Sequence, residues 1–450
     1  MTFYNWSKEI INKLKVDNKI LFFINPPFAE ASNGKFKDKM DKKNTAKTKI
    51  KNCMVEYGFK DESQQLYCQF LYRILKFKVD YKLDNLYIGI YTPLLFFTGS
   101  RFESFREVFF KHFKFQKGFL FKASNFANVS KEWGVAFSIF SPEENIDNKN
   151  FLFSIRDLND VGKIEEIYSR RYYNLEIEER CSNWIKDRKI KNEKEILLLK
   201  SSLNYEDETR VVDAEDLGYL LNDSNNVYAN AQGVYILSCP VKRHIKSTPI
   251  TEYNYEKCFS LFAARRLIKS NWIIQKLEYT IPNENHEGYK EWIGDSIIYS
   301  LFANKSMQSS LRNIMVNNKK YDICNNFFFM SNEEIKSLAN EFNNREVYND
   351  CIKYENEKFI YKILDEYKFS NEAQDVLDKA KELVALSFKN REKFNELFPN
   401  YNINTWDAGW YQIKELLKKY HKNELKEFNK IFKRLEDKNI INVNKLGFLK

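Results

Sequence analysis

The chain has 450 residues, 43% hydrophobic and 16% aromatic, which excludes wholesale disorder and leaves room for two or three domains with real cores. A net charge of +10, from 72 basic and 62 acidic residues, permits nucleic-acid binding without requiring it. No apolar run approaches a membrane span, the start lacks a signal-peptide pattern, and none of the seven cysteines forms a C-x-x-C pair, so free thiols, no zinc site and a cytoplasmic location are expected.

Residues 1–18 form a short amphipathic lead-in, with Trp6, Ile10, Ile11, Leu14 and Val16 near helical spacing. Lys19-Ile20-Leu21-Phe22-Phe23-Ile24 is short, β-branched and aromatic, and predicts a buried strand. Pro26 and Pro27 cannot continue a sheet ladder, so the strand stops there. An amide, a stiff turn and the Phe28 ring are left at its carboxyl edge, where open α/β sheets bind ligands.

Ala29 to Asp61 is polar. Between positions 35 and 51 it carries eight lysines, Lys35, Lys37, Lys39, Lys42, Lys43, Lys47, Lys49 and Lys51, opposed only by Asp38 and Asp41. Such a run is either a solvated loop or a basic arm that closes over phosphates beside the strand exit.

A helix is predicted over 62–77, a strand over 85–92 ended by Pro93, a helix over 101–113, and strands over 115–122 and 133–140. Helices between strands imply right-handed crossovers and a parallel sheet. The last two strands, joined without a helix, suggest an antiparallel pair. Residues 163–200 are dense in Glu, Lys and Arg and are read as a bridging helical segment. Residues 205–330 mix short apolar runs with Pro240, Pro249 and Pro282 and are read as α+β. Residues 331–440 are helical in pattern, opening on Ser331-Asn332-Glu333-Glu334 as an N-cap and acidic first turn. Glu366-Tyr367-Lys368 has the E-x-K of some nucleases but no well-placed upstream Asp, so nuclease chemistry is expected outside this chain.

Asn25-Pro26-Pro27-Phe28 after a strand resembles the catalytic motif of the amino-group methyltransferases, above all the N6-adenine DNA methyltransferases. The strand order resembles the second half of a class I methyltransferase sheet. The segments Trp292-Ile293-Gly294-Asp295-Ser296, Asn325-Asn326-Phe327-Phe328-Phe329-Met330 and Trp406-Asp407-Ala408-Gly409-Trp410-Tyr411 look like the C-terminal region of large bacterial restriction-modification (type IIG-like) methylases. The likeness implies that the Asn25 side-chain oxygen and the Pro26 carbonyl hold the two N–H groups of an exocyclic amine. Pro27 fixes the turn, and Phe28 stacks on a base flipped from the duplex.

The resemblance further implies three parts. Residues 1–160 are a partial class I methyltransferase domain, α/β in class. Residues 161–330 are an α+β region that reads the DNA target, with Arg243, Arg265, Arg266 and Lys269 as candidate phosphate or base contacts. Residues 331–450 are a helical C-terminal region. The family's cofactor is S-adenosylmethionine, bound by a Gly-rich turn ahead of the catalytic motif. Only 24 residues precede Asn25, and none of the 13 glycines forms a G-x-G. Most of the cofactor pocket is therefore expected on an N-terminal methylase or nuclease fragment or subunit, and double-stranded DNA is the expected target. An RNA or protein amino-group methyltransferase and a non-catalytic specificity subunit are the rival readings.

Overall fold

The structure is a computed structural model that describes residues 8–16, 19–28, 48–126, 128, 133–186, 190–222, 224–227, 233–242 and 247–450. It is mixed α/β, with several small sheets and a helical C-terminal region. Among the described residues no helix is long and apolar enough to cross a membrane.

The first sheet has six strands: β1 (Ile20–Ile24), β2 (Leu86–Thr92), β3 (Lys114–Lys122), β4 (Gly134–Ser141), β5 (Asn150–Leu158) and β6 (Ile164–Tyr173). Their spatial order is β1-β2-β4-β3-β5-β6. β1 and β2 are parallel, in register from Ile20↔Leu86 to Ile24↔Ile90. β4 is antiparallel to both its neighbours, β2 and β3, as two strands joined without a helix must be when they pair. β3 and β5 are parallel, and β6 closes the sheet antiparallel to β5.

The connection from β1 to β2 contains α1 (Lys49–Glu56) and α2 (Leu66–Tyr81); that from β2 to β3 contains α3 (Glu103–Phe110). The α1 N-cap is Thr48, whose hydroxyl accepts from the Lys51 amide at 3.2 Å. On α2, Leu71, Ile74 and Leu75 repeat at helical spacing and are buried. Much of the aromatic content is packed here. Phe97 lies 4.9 Å from Phe151, 5.0 Å from Phe153 and 6.2 Å from Phe140, ring centre to ring centre.

One expectation needs correction. The segment 163–200 is not a helical bridge: it forms β6, the single helical turn Cys181–Trp184 and β7 (Glu193–Leu199). β6 is an edge strand whose side chains from Ile164 to Ser169 are all exposed, so burial imposes no alternation of period two on it. The sheet also runs beyond residue 160, to Tyr173.

The middle region is built on a four-stranded sheet in the order β11-β9-β10-β12: β9 (Gly218–Asn222), β10 (Val234–Leu237), β11 (Thr248–Ile250) and β12 (Ser306–Met307). β7 pairs with β8 (Tyr205–Asp213), and β13 (Leu311–Val316) pairs with β14 (Lys319–Ile323), as two separate hairpins. The helix Tyr289–Phe302 is buried over Trp292–Phe302, on every side. It contacts the helices Tyr255–Leu267, Asn371–Ser387 and Lys422–Lys445, which is why its apolar residues show no single face.

The C-terminal region is helical from Asn332. Ser331 caps it with a full capping box: its Oγ accepts from the Glu334 amide at 3.1 Å, and the Glu334 carboxylate accepts from the Ser331 amide at 2.7 Å. Gly409 sits where the backbone of another segment arrives. A Cβ there would lie 1.9 Å from the Gln308 carbonyl oxygen. Gly409→Ala is expected to destabilise the fold by about 1–3 kcal/mol through overpacking. The measurement is the midpoint of urea unfolding; an unchanged midpoint would mean that this contact opens without cost.

Candidate active site

The carboxyl edge of the first sheet gathers several elements. β1 ends at Ile24 opposite Ile90, and Thr92 pairs with Ala136 at the start of β4. Lys122 pairs with Gly134, and Phe121 with Arg156. The ends of β1, β2, β3 and β5 thus lie along one side with the beginning of β4.

Asn25 to Phe28 leave β1 at this side. Asn25 and Pro27 are exposed, Pro26 is buried and Phe28 is half-buried. The burial of Pro26 between two exposed residues pins the turn, while the Asn25 amide faces solvent. Asn25 makes no side-chain hydrogen bond to another described residue, so its donor and acceptor capacity is uncommitted there. The Phe28 ring lies edge-on to Trp133, with centroids 6.3 Å apart and planes at 73°. Trp133 is held at the entry to β4, where its carbonyl accepts from the Ala123 amide at 2.8 Å.

The middle region reaches this side too. A Cβ on Gly134 would lie 2.3 Å from the Trp272 carbonyl oxygen, so only glycine admits the 272 backbone there. Thr98 donates to the Lys276 carbonyl at 2.6 Å, and Tyr172 donates to that of Ile273 at 3.1 Å. The segment 271–280 thereby ties the middle region to the six-stranded sheet.

The remaining candidate residues separate. Arg265 is 1% exposed, and its guanidinium lies 5.8 Å from the Tyr279 ring centre. Arg265 is thus enclosed within the fold rather than presented on its surface. Arg266 is half-buried and Lys269 exposed. Lys35, Lys37, Lys39, Lys42, Lys43 and Arg243 lie outside the described residues. Sequence reasoning missed Trp133, which stands at no fixed offset from Phe28; only the strand order brings the two rings together.

A polar cleft of about 410 Å³ lies elsewhere, lined by Arg312, Asp350, Lys353, Tyr354, Asn402 and Thr405. Arg312 and Asp350 there are engaged in ion pairs. Arg312 Nε bonds Asp350 at 3.0 Å and its NH2 bonds Asp407 at 2.6 Å, while the guanidinium covers the Tyr354 ring at 4.2 Å. The uncommitted polar groups lie instead at the sheet edge.

Among the described residues no group of three His, Cys, Asp or Glu side chains is placed to hold a metal ion. They do not fit S-adenosylmethionine either. Among the described residues β1 is the outermost strand on its side, and no described strand is followed by a Gly-rich turn. No family model matches the chain, and no curated protein matches it.

Proposed function

We propose that this chain carries the acceptor-base half of a site-specific DNA adenine-N6 methyltransferase of the restriction-modification kind. The observation that carries the reading is the exit of β1. A strand in a parallel pair ends on an uncommitted Asn25 amide, a buried Pro26 and a Phe28 ring. The strand order adds support. A parallel pair followed by an antiparallel strand inserted before the last parallel one is the arrangement expected of the second half of a class I methyltransferase sheet.

An adenine N6 amine is a poor nucleophile because its lone pair is delocalised into the ring. The Asn25 Oδ1 accepts one N–H and the Pro26 carbonyl accepts the other. The nitrogen is thereby drawn toward a pyramidal shape with its lone pair free, by positioning and electrostatics alone. Phe28, with Trp133 edge-on behind it, offers a ring face to a base that has left the duplex stack. Lys122, at the same side of the sheet, is a candidate contact for phosphates of the target strand. The donor site falls to a partner, since the described residues do not supply it.

The test is transfer of a radiolabelled methyl group from S-adenosylmethionine to adenine-containing duplex DNA, with the chain alone and with the polypeptides encoded on either side of it. Label on adenine N6 only in the combined reaction is the expected result. Specific DNA binding with no label in any combination would instead favour a non-catalytic specificity subunit.

A further inference from the structure

The two outer edges of the six-stranded sheet are built differently. β6 is protected in the usual way, with charged side chains along its length: Glu165, Glu166, Arg170 and Arg171. β1 is Ile-Leu-Phe-Phe-Ile and carries none. The Ile20 amide bonds the Asn85 carbonyl at 2.9 Å, which turns Ile20, Phe22 and Ile24 toward β2. The alternate residues, Leu21 and Phe23, therefore aim their N–H and C=O groups away from the sheet. Their side chains are 60% and 64% exposed.

Phe23 also begins an aromatic platform on one face of the sheet. Its ring lies 5.6 Å from Phe137 and 6.3 Å from Tyr91; Phe137 lies 4.8 Å from Tyr91 and 6.4 Å from Phe119. Tyr91, Phe119 and Phe137 are half-buried, whereas Ile88, Ile90, Ala136 and Phe140, which alternate with them, are fully buried in the core. Parallel strands are ordinarily covered on both faces. Here the apolar edge and the thinly covered face meet at one residue, Phe23.

We infer that β1 and this aromatic face are the docking surface for a separate α/β polypeptide, which adds a strand parallel to β1 and lays a helix on the rings. Both features are met by one strand–helix unit, the usual way parallel strands are extended. A second copy of this chain joined edge to edge would occupy β1 and leave the rings as they are. A specific interface buries roughly 800 Å² per partner, more than one added strand alone supplies, so the partner must also cover the platform. The platform is rimmed by cations: Lys19 lies 5.6 Å from the Tyr87 ring centre, and Lys117 and Arg156 lie 5.4 and 4.8 Å from that of Phe119. The partner's helix is accordingly acidic at its borders. The docking surface follows from the sheet alone; that its occupant brings the S-adenosylmethionine site rests on the functional reading above.

The experiment is hydrogen exchange read by mass spectrometry on the full chain, alone and co-expressed with the polypeptides encoded on either side of it, with light scattering for stoichiometry. The expected result is a one-to-one complex in which the Leu21 and Phe23 amides become protected. Phe23→Lys and Leu21→Lys, both at exposed positions, should each weaken that complex by at least about tenfold. Four results would overturn the inference: no complex with either neighbour; protection of both amides in the chain alone; a symmetric dimer of this chain; or protection of the platform by a single-stranded oligonucleotide and not by protein. A complex with the expected protection that transfers no methyl group would uphold the docking surface and remove the methyltransferase reading.

Discussion

Asn25→Ala in the reconstituted enzyme is expected to lower the rate of methyl transfer by at least about 10²–10³, the effect of removing one preorganised hydrogen-bonding group from a reacting centre. DNA binding should stay nearly intact, because duplex affinity is carried mostly by phosphate contacts. The loss would not reflect unfolding. Asn25 is exposed and bonds no other described side chain or backbone group through its amide, and substitutions at such positions usually change stability by within about 0.5 kcal/mol. Asn25→Asp separates the chemistry from the scaffold. It keeps an acceptor oxygen of the same reach and should retain more activity than the alanine variant. Single-turnover transfer, measured beside DNA affinity at one fixed salt concentration, distinguishes the cases. Equal rates for wild type and Asn25→Ala would end the assignment of Asn25 to the amine.

Strands β1 to β4 were legible in the sequence because their apolar runs are bounded by turns and prolines and the helices between them carry the period of the core, whereas β5 was not among the predicted strands. Leu86–Thr92 and Lys114–Lys122 lie within a residue of where alternation and Pro93 place them. β6 was not legible, because nothing packs on most of its outer residues and backbone pairing to β5 alone makes it a strand. The Phe28–Trp133 contact was hidden for another reason: proximity across a sheet follows from strand order, and strand order is not local. The three C-terminal segments singled out in the sequence carried no role there. The structure gives each a structural one. Asp295 accepts from the amide (2.9 Å) and hydroxyl (2.8 Å) of Ser370, the N-cap of the helix Asn371–Ser387, and Lys438 reaches it at 3.1 Å. Asn325 places its amide 2.9 Å from Asp407. Gln412 exchanges hydrogen bonds with the Ser310 backbone, at 2.8 and 2.9 Å. Buried polar residues of this kind hold segments in register.

Asp407→Ala is expected to destabilise the chain by about 3–5 kcal/mol, the usual result of removing one partner from a buried ion cluster. Asp407 is fully buried. Its carboxylate accepts from Arg312 at 2.6 Å, Lys358 at 3.1 Å, Ser310 at 2.6 Å and the Asn325 amide at 2.9 Å. Truncation leaves Lys358, itself 6% exposed, without its buried anion, and Arg312 with Asp350 alone. Burial pushes the Asp407 carboxyl up, but Arg312, Lys358 and the hydrogen bonds more than reverse it, and it titrates below the ordinary aspartate range. A carboxyl depressed in the folded state contributes stability above its unfolded value of about 3.9, and that contribution drains away as pH falls through the folded value. Wild type should therefore lose stability as the pH drops below about 4, and Asp407→Ala should lose less of it over the same interval. Urea unfolding at pH 7 and across the acid range reads both effects. Combining Asp407→Ala with Lys358→Met should cost less than the two single changes summed, because the pair is removed together and no bare ammonium stays behind. Strict additivity would show that Lys358 finds water in the folded state, and that Arg312 with Asp350 alone holds the 406–410 segment against the β13–β14 hairpin.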